Sequence, residues 1–255
     1  MKKYELTAEF IEKWGKKLFR IKALISFGSV EAGELGGYVE KEDNLAQTGN
    51  AWVYGDAEVY GNARVSGNAR VYGNARVSGD AEVYGDAEVY GTAWVSGNAR
   101  VYGTARVSGD AEVYGDAEVY GNARVYGDAE VYGDAWVYGD AEVYGDAWVY
   151  GTAWVSGNAR VYGTARVSGT ADYLLIGRIG SRFGFTTFFK NKEKGITVSC
   201  GCFLGTIAEF RAKVTDTHGD NKHAKMYNMA ADMAELQILG EGHFDKLNTN
   251  KSEPF

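Results

Sequence analysis

Residues 51–170 repeat one six-residue unit twenty times without interruption, Ala-x-Val-[Tyr/Ser]-Gly-[Asp/Asn/Thr]. A period of six with glycine at a fixed place leaves few folds open. Ala and Val stand two apart, so they share one side of an extended segment, while x and the Tyr/Ser position share the other. Glycine tolerates positive φ, and Asp or Asn can bond its own backbone, so Gly-[Asp/Asn/Thr] makes a corner. Short strand, corner and short strand at strict spacing predict a parallel β-helix of triangular coils, with Ala and Val pointing inward.

Three hexads per coil place each residue beside the one eighteen positions on, which the x positions test. One column reads Arg64, Glu82, Arg100, Glu118, Trp136, Trp154, alternating in charge before ending in two indoles. The second reads Trp52, Arg70, Glu88, Arg106, Arg124, Glu142, Arg160, and the third Glu58, Arg76, Trp94, Glu112, Glu130, Trp148, Arg166. Opposite charges on adjacent strands attract and like charges repel, so the alternation supports the register. The two exceptions are the neighbours Arg106/Arg124 and Glu112/Glu130. Tyrosines fall into columns as well: Tyr84, Tyr102, Tyr120 and Tyr138; Tyr126, Tyr144 and Tyr162; Tyr114, Tyr132 and Tyr150. Six to seven coils at the usual strand spacing give a rod roughly 30 Å long.

The flanks differ in kind. Residues 1–50 read as a cap for the first coil: a short helix near residues 8–17, then two or three strands with turns at Gly28, Gly33 and Gly36–Gly37. Residues 172–240 read as a small α+β domain with strands over 173–176, 186–190 and 196–203. Thr206 and Glu209 form a capping box opening a helix to His218, with Gly219 as its natural stop. A second helix over 222–239 carries Met226, Met229, Ala230, Met233 and Leu236 on one face, which reads as packing against the sheet, with a trimer seam as the alternative. Residues 241–255 read as a loose tail.

Charge separates the regions too. The chain carries a net −7, yet residues 51–172 hold 17 Asp+Glu against 8 Arg and no Lys. An acidic rod repels phosphates, which argues against direct nucleic-acid binding. The first residues lack the apolar stretch of a secretory signal, and no ~20-residue apolar run suits a membrane span, so a cytoplasmic location is expected. Two cysteines two positions apart are too few for a disulfide framework.

The hexads resemble the left-handed β-helix hexapeptide-repeat family, which includes trimeric acyltransferases and γ-class carbonic anhydrases. Residues 19–55, FRIKALISFGSVEAGELGGYVEKEDNLAQTGNAWVYG, are similar to the N-terminal segment of YdcK-type bacterial proteins and related phage or prophage proteins. The acyltransferases of the resembling family use a histidine as general base beside a loop projecting from a coil, and its carbonic anhydrases hold zinc with histidines of neighbouring coils. Here His218, His223 and His243 all lie outside the repeat, and the twenty hexads contain no insertion. No catalytic residue carries over. Threonine ranks of the ice-binding kind are absent as well, because the repeat's threonines sit at corners without forming a continuous column.

Two clusters stand out after the repeat. Arg178, Ser181 and Arg182 in Ile-Gly-Arg-Ile-Gly-Ser-Arg, followed by Thr186 and Thr187, gather guanidinium groups, hydroxyls and glycine backbone that could cradle an anion such as a nucleotide; the plainer reading is a glycine turn with solvated arginines. Cys200, Cys202, His218 and His223 supply four zinc-ligand types, but at C-x-C rather than C-x2–4-C spacing, with a helix break between the histidines. The plainer reading there is two half-buried thiols and two surface imidazoles, and no cofactor is expected.

The reading that follows is a non-catalytic β-solenoid scaffold or binding protein of phage or bacterial origin. Its C-terminal domain would recognise a host protein or a small anionic ligand, in an anti-defence role if phage-encoded, and the rod would associate as a dimer or trimer or stand alone. An acyltransferase using the C-terminal histidines, and an acidic rod mimicking DNA, stand as alternatives.

Overall fold

The computed structural model describes residues 1–241; the tail expected over 241–255, and with it His243, lies outside the described residues apart from Glu241. Within residues 51–171 the chain winds as a parallel β-solenoid of three flat faces. Strands β1 (Tyr4–Lys13), β2 (Lys16–Ala23) and β3 (Leu35–Val39) precede twenty strands of two or three residues, β4 to β23, running from Trp52–Val53 to Arg166–Val167. Each pairs in parallel with strands eighteen residues away, as Trp94 does with Arg76 and Glu112. The predicted register is therefore the observed one in all three columns.

Every Ala and Val of the hexads is fully buried, forming a core one Ala and one Val deep on each face. Burying a valine contributes on the order of 2 kcal/mol before conformational entropy is subtracted, so the coils are held mainly by this column. Backbone ladders satisfy the rest: Arg100 N donates to Ala117 O (2.9 Å), Tyr102 N to Val119 O (3.0 Å) and Thr104 N to Gly121 O (2.9 Å). At the corners the side chains form ladders of their own, Asn50 donating to Asn68 (3.0 Å), Asn68 to Asp86 (2.9 Å) and Asn122 to Asp140 (2.9 Å). Each such bond uses an Asn amide or a Thr hydroxyl as its donor, since an aspartate carboxylate can only accept.

The N-terminal segment caps the first coil, but not with a helix. Residues predicted helical over 8–17 belong instead to an antiparallel β1–β2 hairpin, which turns at Trp14 and Gly15, both at positive φ. Tertiary contacts outweigh the local preference: Trp14 stacks on Tyr60 (5.0 Å), and Lys13 forms an ion pair with Glu58 of the solenoid. Gly28 and Gly33 do adopt turn conformations. Gly36 and Gly37 do not, since they lie inside β3, where a Cβ on either would come within 2.5 Å of the carbonyl oxygen of Val53 or Ala57. They are glycines for close approach to the first coil. Trp52, an x-position residue expected on the outside, is fully buried under Tyr4 and Phe27 of the cap.

The other end is closed by an antiparallel sheet, β24 (Tyr173–Ile179), β25 (Gly184–Lys190), β26 (Ile196–Cys200) and β27 (Phe203–Thr206). Phe189 is fully buried in the solenoid core, Arg160 N donates to Thr187 Oγ1 (3.2 Å), and Lys192 N donates to Thr164 O (3.1 Å). The strand expected over 196–203 breaks at Gly201, whose positive φ lets Cys200 pair with Phe203. Helices α1 (Ile207–His218) and α2 (Lys222–Leu239) cover the face of the sheet that bears Phe188 and Val198, and the Thr206/Glu209 capping box opens α1 as predicted. Arg211 fastens the two helices through Asp232 and Glu235, both at 2.7 Å. The methionine face of α2 does not pack on the sheet. Ala224, Ala230, Ala231, Ala234 and Ile238 do so, leaving Met226, Met229, Met233 and Leu236 between 40% and 66% exposed.

Candidate functional site

A cleft of about 620 Å³ opens where the second solenoid face meets the C-terminal sheet. Its floor is built by the repeat. Corner residues Thr104, Asn122, Asp140 and Asn158 and x-position residues Arg106, Arg124, Glu142 and Arg160 succeed one another over four coils. Its wall is the sheet surface opposite the helices, with Gly184, Phe185, Thr187, Ser199 and Gly201.

The floor's charge pattern comes from the register. Glu88 is held between Arg70 and Arg106, the latter at 3.3 Å, and Glu142 between Arg124 and Arg160, each at 3.5 Å. The column is thus two Arg–Glu–Arg triplets laid end to end, each with one uncompensated positive charge. They abut at Arg106 and Arg124, which pair directly across adjacent strands. Each leans on its own glutamate, Arg106 on Glu88 and Arg124 on Glu142, but between the two arginines no carboxylate of the column intervenes. Three arginines line the cleft with Asp140 and Glu142, and Glu88 pairs with Arg106 from the neighbouring coil, so this stretch is near charge balance on a rod that is otherwise strongly acidic.

The wall adds hydroxyls. Thr187 and Ser199 are 2% and 4% exposed, and Thr187 Oγ1 already accepts the Arg160 amide. Neither hydroxyl proton has an acceptor among the described residues, so both can donate to an occupant. Phe185, 38% exposed, supplies an apolar edge. Elsewhere on the solenoid the second like-charged neighbour pair is resolved internally, because Tyr114 Oη donates to Glu130 (2.9 Å).

Of the residues singled out in the sequence for an anion, only Thr187 lines this cleft. Thr186 alternates to the opposite face of β25, where its hydroxyl lies 3.2 Å from Cys200 Sγ under the helices. Arg178, Ser181 and Arg182 are exposed on the β24–β25 hairpin. The five are not brought together. The cysteine–histidine set is also dispersed: Cys200 faces Thr186 and Tyr227 (Oη 4.0 Å away), Cys202 is exposed in the turn, and His218 and His223 have ring centres 5.8 Å apart. No group of three or more His, Cys, Asp or Glu side chains among the described residues is arranged to hold a metal ion. His218 stacks on Tyr227, whose hydroxyl is pushed up to about 12 by burial and by the adjacent Cys200.

The cleft was visible in the sequence only as the Arg106/Arg124 break in alternation. Nothing in the linear pattern indicates that the C-terminal sheet would overhang that column.

Coils, register and capped ends together define a β-solenoid repeat protein. Within the repeat, residues 57–71, 69–85, 93–109, 117–133 and 153–169 match the family model described as YdcK Beta solenoid repeat. No curated protein matches the chain. Among the described residues no helix is long and apolar enough to cross a membrane.

Proposed function

We propose that the protein is a binding scaffold whose solenoid–sheet junction holds a small anionic ligand. The observation that carries this reading is the abutment of Arg106 and Arg124 on the floor of an open cleft, beside two buried hydroxyls with protons to donate. Guanidinium groups suit phosphate or carboxylate through paired N–H donors, and the Phe185 edge suits an aromatic or otherwise flat portion of the ligand. A nucleotide combines both features. The phage or prophage setting suggested by residues 19–55 would make a host-made nucleotide the natural occupant, sequestered rather than turned over. The acyltransferase alternative has less support, since His218 stacks on Tyr227 with His223 beside it, and neither lines the cleft.

Calorimetric titration with inorganic phosphate, mono- and dinucleotides and acetyl-CoA tests the reading. At least one phosphorylated compound should bind, and Arg124→Gln should weaken it about tenfold or more, the scale of a lost charge-assisted hydrogen bond. Arg106→Gln should act alike, while Arg178→Ala with Arg182→Ala should leave binding unchanged. Binding that survives both cleft substitutions, or no binding by any compound of the panel, overturns it.

A further inference from the structure

The outer face of α2 points to a second copy of this chain. Met226, Met229, Met233 and Leu236 follow one another at intervals of three, four and three residues, the a/d spacing of a coiled-coil seam carried over two heptads. All four are well exposed, and the helix's buried side is made instead of small residues that seat it closely on the sheet. A narrow a/d stripe on a helix about 27 Å long is shaped for one other helix rather than for a flat surface.

The charges along α2 select the partner and its direction. Its first turns carry exposed Lys222 and Lys225 with no carboxylate in the first turn; there is no basic residue in the last turn, and exposed Glu241 follows. Each placement opposes the helix dipole, whose N-terminal end favours negative charge and whose C-terminal end favours positive charge. A parallel partner would set Lys222 against Lys222. An antiparallel copy sets Lys222 beside the partner's Glu241, aligns the dipoles favourably, and stacks Met226 on the partner's Leu236 and Met229 on the partner's Met233. Asp232, which would lie near the two-fold axis, is already neutralised by Arg211. We infer that two copies associate through an antiparallel α2–α2 seam, which closes on itself at two and leaves each cleft, on the other side of the C-terminal sheet, open.

Light scattering on the purified full chain should give the mass of a dimer. Met229→Glu with Met233→Glu should give a monomer whose circular dichroism is unchanged, because both side chains are exposed in the single chain. Direction is read by disulfide trapping in a Cys202→Ser background: Met226→Cys mixed with Leu236→Cys should cross-link, and neither should cross-link alone. A monomeric wild-type chain, a trimer, a dimer indifferent to the glutamates, or cross-linking of Met226→Cys with itself would each overturn the seam.

Discussion

Glycine 97 shows how tightly a single position is constrained. It sits at φ +67°, and a Cβ there would meet the Gly115 nitrogen of the next coil at 2.8 Å. Gly163 has the same conformation, φ +66°, with nothing within 4 Å. Gly163→Ala should therefore cost only the left-handed backbone penalty, about 1–2 kcal/mol. Gly97→Ala should cost distinctly more, because the coil above must also move, and the difference between their denaturation midpoints measures the packing of one corner on the next. Residue-level logic also explains what the sequence concealed. Thr186 and Thr187 look like a pair in the chain, but adjacent strand residues face opposite sides, and one serves the helix side while the other serves the cleft. Cys200 and Cys202 look like alternate residues of one strand until Gly201 turns it.

At the scale of elements, the tyrosine columns are continuous stacks. Tyr84, Tyr102, Tyr120 and Tyr138 follow one another at 4.9, 4.9 and 5.0 Å with planes within 3° of parallel. Burial raises the phenol pKa of Tyr102, Tyr114 and Tyr144, reinforced for Tyr102 and Tyr114 by hydrogen bonds to Glu118 and Glu130. An unfolded tyrosine ionises near pH 10. A raised folded value means this contribution to stability is fully present below about pH 10 and is lost as pH rises above it. Absorbance at about 295 nm should show these phenols resisting ionisation past pH 10 and then ionising together as the rod unfolds; independent titration at the ordinary value would refute the stacks' desolvation. The solenoid strands were legible because Ala and Val never vary, so the period carried the fold alone. The β1–β2 hairpin was not, because its register depends on Trp14 finding Tyr60. The methionine stripe of α2 read as core by its spacing, and only packing revealed that the alanine side was the one small enough to seat.

For the whole molecule, the two ends differ from the middle in what they specify. Gly36 and Gly37 admit the first coil only at one place, and Phe189 closes the last. Between them the hexads share the same Ala, Val and Gly positions at intervals of eighteen. The cleft floor occupies coils from Thr104 to Arg160, adjoining the C-terminal closure, and the coils nearer the N-terminus line none of it, reaching it only through the Glu88 carboxylate that holds Arg106. Deletion of residues 67–84 removes one coil and keeps the Ala, Val and Gly columns in register, although it sets Arg64 beside Arg100 and takes Arg70 from Glu88. The shortened chain should keep its circular dichroism and its affinity for the cleft ligand; loss of binding with the fold retained would show that the cleft senses the far end. A molecule built this way has an adjustable dimension: the span between its hairpin and its arginine floor can lengthen or shorten in steps of about 4.8 Å by gain or loss of eighteen-residue blocks that share the Ala, Val and Gly positions, with neither end required to change.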